Sequence, residues 1–133
     1  MRQKNYKMKN LASYLKEAEK ARVALGHFNI SDLAALHAIA NAAKKEGVAV
    51  LIGTSEGEAK ALGRPLVAAV VCTLRETSGL PVFLNSDHTH SLAEVKEAVA
   101  AGYDAILFDG SKLSLEENIK ATKEVVKFVK SKN

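Results

Sequence analysis

The sequence predicts an α/β protein in which a strand followed by a helix occurs four times. Four short apolar runs, at residues 23–28, 48–52, 81–84 and 105–108, are each followed by apolar residues at helical spacing. The runs begin roughly 23 to 33 residues apart, which is the period of βα units in a parallel sheet. Because the runs are almost entirely apolar, we expect strands that are covered on both faces.

Composition and charge exclude several classes of protein. The chain has 133 residues, 47% of them hydrophobic and 26% charged, and we expect residues 1–133 to form a single domain. The longest apolar run, residues 66–74, is much shorter than the roughly 20 residues that span a membrane. A formal charge of +4 without any Trp gives no reason to expect a nucleic-acid partner. A basic leader at residues 1–9 lacks an apolar signal core, so we expect a cytoplasmic protein.

An introductory helix and two βα units account for the first part of the chain. Apolar residues at helical spacing predict the introductory helix over residues 10–22. After the first strand, Ser31 or Asp32 can cap a helix that Gly47 closes. After the second strand, the pattern predicts a helix interrupted near residues 63–65, where the proline suits a first helical turn.

Two further βα units complete the chain. Ser91 with Glu94 has the spacing of a capping box and predicts the start of the helix after the third strand. Ser114 with Glu117 repeats this spacing after the fourth strand and predicts the start of a last helix. Cys72, the single cysteine, lies within the apolar pattern of the second unit's helix, so we expect a buried structural thiol.

Two architectures fit four βα units. A doubly wound open sheet can be built from four strands, whereas a (β/α)₈ barrel of typical size requires about 250 residues. The period of the units alone therefore favours the open sheet.

Polar side chains follow every predicted strand. In chain order they are Asn29, Ser55, Asp87 with His88, and Asp109. The carboxyl ends of parallel strands share one edge, so we expect these side chains to gather there. Asn29 can instead be a cap or turn residue, Ser55 a loop hydroxyl, and Asp109 with the next glycine a turn. An acid beside an imidazole, expected in the loop after the third strand, favours a functional site.

Several segments resemble one enzyme family in their order and spacing. They are residues 26–29, 51–57, 81–88 and 108–111, followed by Glu117-Asn118 and Thr122-Lys123. Over about residues 10 to 130 the chain resembles the first half of the class II fructose-bisphosphate and tagatose-bisphosphate aldolases. That family folds as a metal-dependent TIM (β/α)₈ barrel. The resemblance therefore implies four βα units forming half of a TIM barrel, preceded by one helix, in place of the open sheet.

The resemblance also implies an activity and roles for single residues. The activity is reversible zinc-dependent cleavage of fructose 1,6-bisphosphate or tagatose 1,6-bisphosphate to dihydroxyacetone phosphate and glyceraldehyde 3-phosphate. His88 matches a histidine ligand of the catalytic zinc, and Asp87 matches the carboxylate that moves protons to and from the substrate hydroxyl. Asn29 and Ser55 match residues near the substrate, and Asp109 matches an acid that binds a second cation in some members.

Part of the family's machinery has no counterpart in these residues. The family's other two zinc histidines and its phosphate loops come from the second half of the barrel. A catalytic zinc takes three protein ligands, so His88 alone does not make a site. We expect His90 to be a poor substitute, on the assumption that His88 and His90 point apart on an extended segment. We expect His27, His37 and His90 to be packed or to face solvent.

Half of a barrel leaves two strand edges and an inner face without partners, so three alternatives follow. The chain can act with a complementary half-barrel, encoded in the same or another chain. Two copies can instead close one barrel as a homo-oligomer. In the third alternative, the chain is a non-catalytic half-barrel that binds a partner or a phosphorylated ligand.

Overall fold

The computed structural model describes residues 9–132, in which helices and strands alternate along the chain. The elements are α1 Leu11–Ala21, β1 Gly26–Asn29, α2 Leu33–Glu46, β2 Val50–Thr54, α3 Glu56–Leu62, α4 Arg64–Ser78, β3 Val82–Thr89, α5 Leu92–Ala101, β4 Ala105–Phe108 and α6 Leu115–Lys130. The predicted introductory helix corresponds to α1. Residues 1–8 of the predicted basic leader lie outside the described residues.

The four strands form one parallel sheet in the order β1-β2-β3-β4. Each strand is added on the same side of the one before it. Because βαβ crossovers are right-handed, this order places all the crossover helices on one face of the sheet. A doubly wound sheet would instead require a reversal of strand order. The observed order therefore confirms four consecutive βα units of a barrel, and the doubly wound topology favoured by the period alone was wrong.

The core lies between the sheet and the helices of that face. Alternate strand residues point into it and pack against apolar residues of α2, α4 and α5. Its fully buried members include Leu36, Ile52, Val67, Val82, Leu84 and Ala98. Burial of these side chains fixes which face of each strand is turned away from the helices.

The opposite face of the sheet is partly covered by α1. Phe83 alternates with the core residues of β3 and therefore points to this second face, where it is 1% exposed. The ring of Tyr14, on α1, lies with its centroid 5.4 Å from that of Phe83. The guanidinium of Arg75 lies 5.6 Å from the centre of the Phe83 ring. The introductory helix therefore shields part of the surface that faces the interior of a barrel.

Local signals set the helix ends as the sequence predicts. Gly47 and Gly102 end α2 and α5 in the left-handed conformation. The helix after β2 is interrupted at Gly63, and α4 restarts with Pro65 in its first turn. Cys72 is exposed, so the prediction of a buried thiol was wrong. None of the helices within residues 9–132 is long and apolar enough to cross a bilayer.

Candidate active site

A bulge in β3 presents Asp87 and His88 together. Ser86 of β3 pairs with Ile106 of β4, but the next paired residue of β3 is Thr89, opposite Phe108. Three steps along β3 thus match two steps along β4, which is the count of a β-bulge. His88 lies in this bulge and has a positive φ of 48°. The sequence predicted that Asp87 and His88 lie in a loop after the third strand. That prediction was wrong, because both residues belong to β3, which extends to Thr89.

The bulge contains two buried hydroxyl residues and, between them in sequence, two residues that bond to neighbouring strand ends. Ser86 and Thr89 are both buried, and their hydroxyl groups lie 2.9 Å apart. Asp87 and His88, between them, make their hydrogen bonds with residues at the ends of β1 and β4. Because the bulge interrupts the alternation of side chains between the two faces of the strand, the adjacent residues Asp87 and His88 both contact the ends of neighbouring strands.

Asp87 is held by the amide of Asn29. The Nδ2 group of Asn29 donates a hydrogen bond to Oδ2 of Asp87 at 2.9 Å, across the sheet from the end of β1 to the end of β3. The same Nδ2 group lies 3.4 Å from Oε2 of Glu58, on α3. Within residues 9–132 the other oxygen of Asp87, Oδ1, accepts no hydrogen bond. The structure thus brings together the predicted residues Asn29 and Asp87.

Ser55 is the N-cap residue of α3. Its hydroxyl donates to Oε2 of Glu58 at 2.8 Å, and its backbone N–H donates to the same oxygen at 2.8 Å. Glu58 is a site residue that our sequence reasoning missed. Its signal was present, because Ser55 and Glu58 have the same capping-box spacing that we recognised at two later helices.

Glu58 is an anion held by several donors. Partial burial opposes ionisation, but hydrogen bonds from Ser55, Ser31 and Asn29 lower the pKa of the Glu58 carboxyl below its ordinary value. Ser31, in the loop after β1, donates to Oε1 at 3.0 Å. Glu58 therefore links the exits of β1 and β2.

His88 pairs with Asp109 at the end of β4. The Nδ1 atom of His88 lies 2.7 Å from Oδ2 of Asp109. This hydrogen bond and the charge of Asp87 raise the pKa of His88. Hydrogen bonds from Ser111 and from His88 hold the pKa of Asp109 well below its usual range. Asp109 thus fixes the orientation of His88 and leaves Nε2 as the nitrogen that faces away from this carboxylate.

His90 also approaches this carboxylate. Its Nε2 atom lies 3.8 Å from Oδ2 of Asp109, and its Nδ1 atom lies 3.5 Å from Oε1 of Glu56. Our expectation that His88 and His90 point apart was wrong, because residues two positions apart on an extended strand point to the same face, and both imidazoles approach Oδ2 of Asp109. His27 differs from both, because its Nε2 lies 3.2 Å from Nδ2 of Asn85 on the inner face of the sheet.

The described residues fit part of a metal site. Within residues 9–132, no group of three or more His, Cys, Asp or Glu side chains could hold a metal ion. His88 nevertheless has the arrangement of a metal-binding histidine, with one nitrogen bonded to a carboxylate and the other available. These residues can therefore contribute one ligand and its support to a site that other residues complete.

Gly53 leaves room for this arrangement. An added Cβ atom at Gly53 would overlap Oδ1 of Asn29 and the imidazole of His27. We expect Gly53→Ala to displace both side chains while the sheet remains folded, since the ends of side chains can move. Chemical shifts of the Asn29 side-chain amide and the His27 ring would measure this displacement in the two proteins. Unchanged shifts would show that the site tolerates the methyl group.

Comparison with known proteins finds aldolases. A family model described as class-II fructose-bisphosphate aldolase matches residues 9–133. The fructose-bisphosphate aldolase of Streptococcus pyogenes serotype M3 is 38% identical over 122 residues, covering 90% of this chain and 41% of that enzyme. The enzyme of the same name from Streptococcus pneumoniae serotype 4 is 40% identical over 116 residues, covering 85% of this chain and 39% of that enzyme.

A solved structure agrees with the fold. The crystal structure of the YdjI aldolase from Escherichia coli K12 matches with a TM-score of 0.82 and 24% identity, over 90% of this chain and 47% of that chain. The present chain thus spans less than half the length of each of these relatives. Since the family model matches almost every residue, the chain belongs to the class II fructose-bisphosphate aldolase family.

Proposed function

We propose that this chain supplies the first four βα units of a class II ketose-bisphosphate aldolase in the cytoplasm. Within a closed barrel, it would cleave fructose 1,6-bisphosphate or tagatose 1,6-bisphosphate reversibly to dihydroxyacetone phosphate and glyceraldehyde 3-phosphate. The observation that carries the proposal is the anchored Asp87 carboxylate beside His88, at the carboxyl edge of a parallel sheet. Active sites of barrel enzymes lie at this edge.

Asp87 is the proposed proton acceptor. Cleavage breaks the C3–C4 bond of the sugar when the hydroxyl at C4 loses its proton, and the electron pair of the bond remains with C3 as an enediolate. Asn29 fixes Oδ2 of Asp87, which leaves Oδ1 available for proton transfer. General acid–base catalysis requires such a group within hydrogen-bond reach of the transferred proton.

His88 is the proposed metal ligand, through Nε2. A bound divalent cation, which we propose to be zinc, supplies Lewis-acid stabilisation of the enediolate charge. The remaining ligands would come from residues outside the four βα units. A second cation at Asp109 stays a proposal, and the hydrogen bond from His88 to Oδ2 supports a role for Asp109 in orienting that imidazole.

Asn29 and Ser55 are the proposed substrate contacts. Asn29 is exposed at the end of β1 and adjoins the proposed base. Ser55 is half-buried, and its hydroxyl already donates to Glu58. A direct contact between Ser55 and the substrate would therefore use the acceptor capacity of the hydroxyl oxygen.

Closure of the barrel requires a partner along two edges. Phe28 on β1 and Leu107 on β4 are 46% and 42% exposed, which is unusual for large apolar residues of strands. A complementary half-barrel would cover both edges, and the coverage of the streptococcal relatives favours this partner over a second copy. Two copies related by a two-fold axis along the barrel would also pair β1 with β4.

The test is to measure zinc content, mass in solution and cleavage of both bisphosphates. The purified chain is compared alone and after refolding with the carboxyl-terminal part of the Streptococcus pneumoniae relative. We expect a zinc-containing, active assembly only with the added half. Activity of a dimer of the chain alone would identify a second copy as the closing partner. An assembled barrel without zinc or cleavage would contradict the proposal and support the non-catalytic alternative.

A further inference from the structure

Two helices of this chain begin with the same capping motif but use it differently. Within residues 9–132, the carboxylate of Glu117 on α6 accepts hydrogen bonds only from Ser114, at 2.7 Å from the hydroxyl and 3.0 Å from the backbone nitrogen. In α3, Glu58 repeats both bonds with Ser55 and also reaches two residues beyond the helix. The additional contacts of Glu58 are therefore not needed for capping.

The additional contacts connect Glu58 to the site. Oε1 accepts from the hydroxyl of Ser31 at 3.0 Å, and Oε2 lies 3.4 Å from Nδ2 of Asn29. The same Nδ2 group donates to Asp87 at 2.9 Å. The amide of Asn29 thus lies between two carboxylates, and its two N–H bonds can serve one carboxylate each.

This arrangement determines which way the amide points. If the Asn29 amide were rotated by half a turn, Oδ1 would face the oxygens of both Glu58 and Asp87. An amide oxygen cannot donate to a carboxylate, so the contacts would become repulsive. In the observed orientation, Oδ1 instead lies over Gly53, where the missing Cβ leaves room. Without Glu58, one of the two carboxylates that select this orientation is lost.

We propose that Glu58 is a positioning residue, which orients the amide of Asn29 and thereby fixes the Asp87 carboxylate for proton transfer. This inference rests on the proposed function only for the role of Asp87. The positioning itself is a property of the folded chain, so it can be tested without any activity.

The test compares the side-chain amide resonances of Asn29 by NMR in the 133-residue chain and its variants. We expect Glu58→Ala to shift these resonances and to speed exchange of their protons with water by about tenfold or more. Glu58→Gln should retain them, because its oxygen can take the place of Oε2 while its NH₂ group donates to the rotated hydroxyl of Ser31. Glu117→Ala is the matched control for loss of a helix cap, and should leave the Asn29 resonances unchanged.

A second variant avoids the helix cap altogether. Ser31→Ala removes a contact to Oε1 but leaves the bonds between Ser55 and Glu58, so we expect a smaller shift of the Asn29 resonances in the same direction. The proposal is overturned if both Glu58→Ala and Ser31→Ala leave these resonances unchanged, or if Glu117→Ala moves them as far as Glu58→Ala does. If Glu58→Ala unfolds the chain, Ser31→Ala alone decides.

A kinetic measurement in the assembled barrel separates this inference from the proposed function. We expect Glu58→Ala to lower kcat by about 10- to 100-fold with little change in KM, because misplaced groups reduce the rate more than binding. Glu58→Gln should recover most of the loss. Shifted resonances with an inactive parent assembly would refute the aldolase proposal while supporting the positioning. Unshifted resonances with an active parent would refute the positioning alone.

Discussion

Replacing Asp87 with alanine in the zinc-loaded barrel is expected to lower kcat for bisphosphate cleavage by about 10²- to 10⁴-fold, the range for loss of a general acid–base group. The physical reason is that Oδ1 of Asp87 has no hydrogen-bond donor within residues 9–132, whereas Oδ2 is held by Asn29. The carboxylate is therefore held through one oxygen while the other is available to accept the proton. Steady-state kinetics with both bisphosphates would measure the effect.

Asp87→Asn is the matched variant for this experiment. It keeps the size of the side chain but cannot accept the proton, so we expect a comparable loss of kcat. Both variants should retain the zinc content and the circular dichroism of the parent protein, because Asp87 is not assigned as a metal ligand. Loss of zinc together with activity would contradict the role that we give to Asp87.

Replacing His88 with alanine is expected to weaken zinc binding by at least about 100-fold in the assembled barrel. Removing an outer partner of a metal ligand costs 10- to 100-fold in affinity, and removing the ligand itself should cost more. His88 is 59% exposed and bonded through Nδ1 to Asp109, so its truncation should leave the core intact. Competition with a chelator of known affinity would measure zinc binding.

His90→Ala is the control for the loss of an exposed imidazole near Asp109. The side chain of His90 is 43% exposed and lies 3.8 Å from the same carboxylate oxygen, but it is not assigned as a ligand. We expect its removal to change zinc affinity by only a few-fold. Equal affinities of the His88→Ala and parent proteins would rule out His88 as a ligand, and a loss confined to His90→Ala would transfer the assignment to His90.

The outline of the site followed from the sequence because its signals are local. Asn29, Asp87 and Asp109 each follow an apolar run, and parallel strands necessarily bring their carboxyl ends to one edge. The helix ends were equally predictable, since Gly47 and Ser114 act within one turn of the residues that they cap. The strand order was not predictable from the period, because open sheets and barrels share the same repeating unit.

By itself, the sequence determined four βα units, their caps and the set of polar residues at the strand ends. Only the tertiary structure decided how these residues meet. The bulge that turns Asp87 and His88 to the same site depends on pairing between β3 and β4. The link from Glu58 through Asn29 to Asp87 joins three separate βα units. Such contacts depend on distances between segments far apart in the chain, which no local pattern of residues contains.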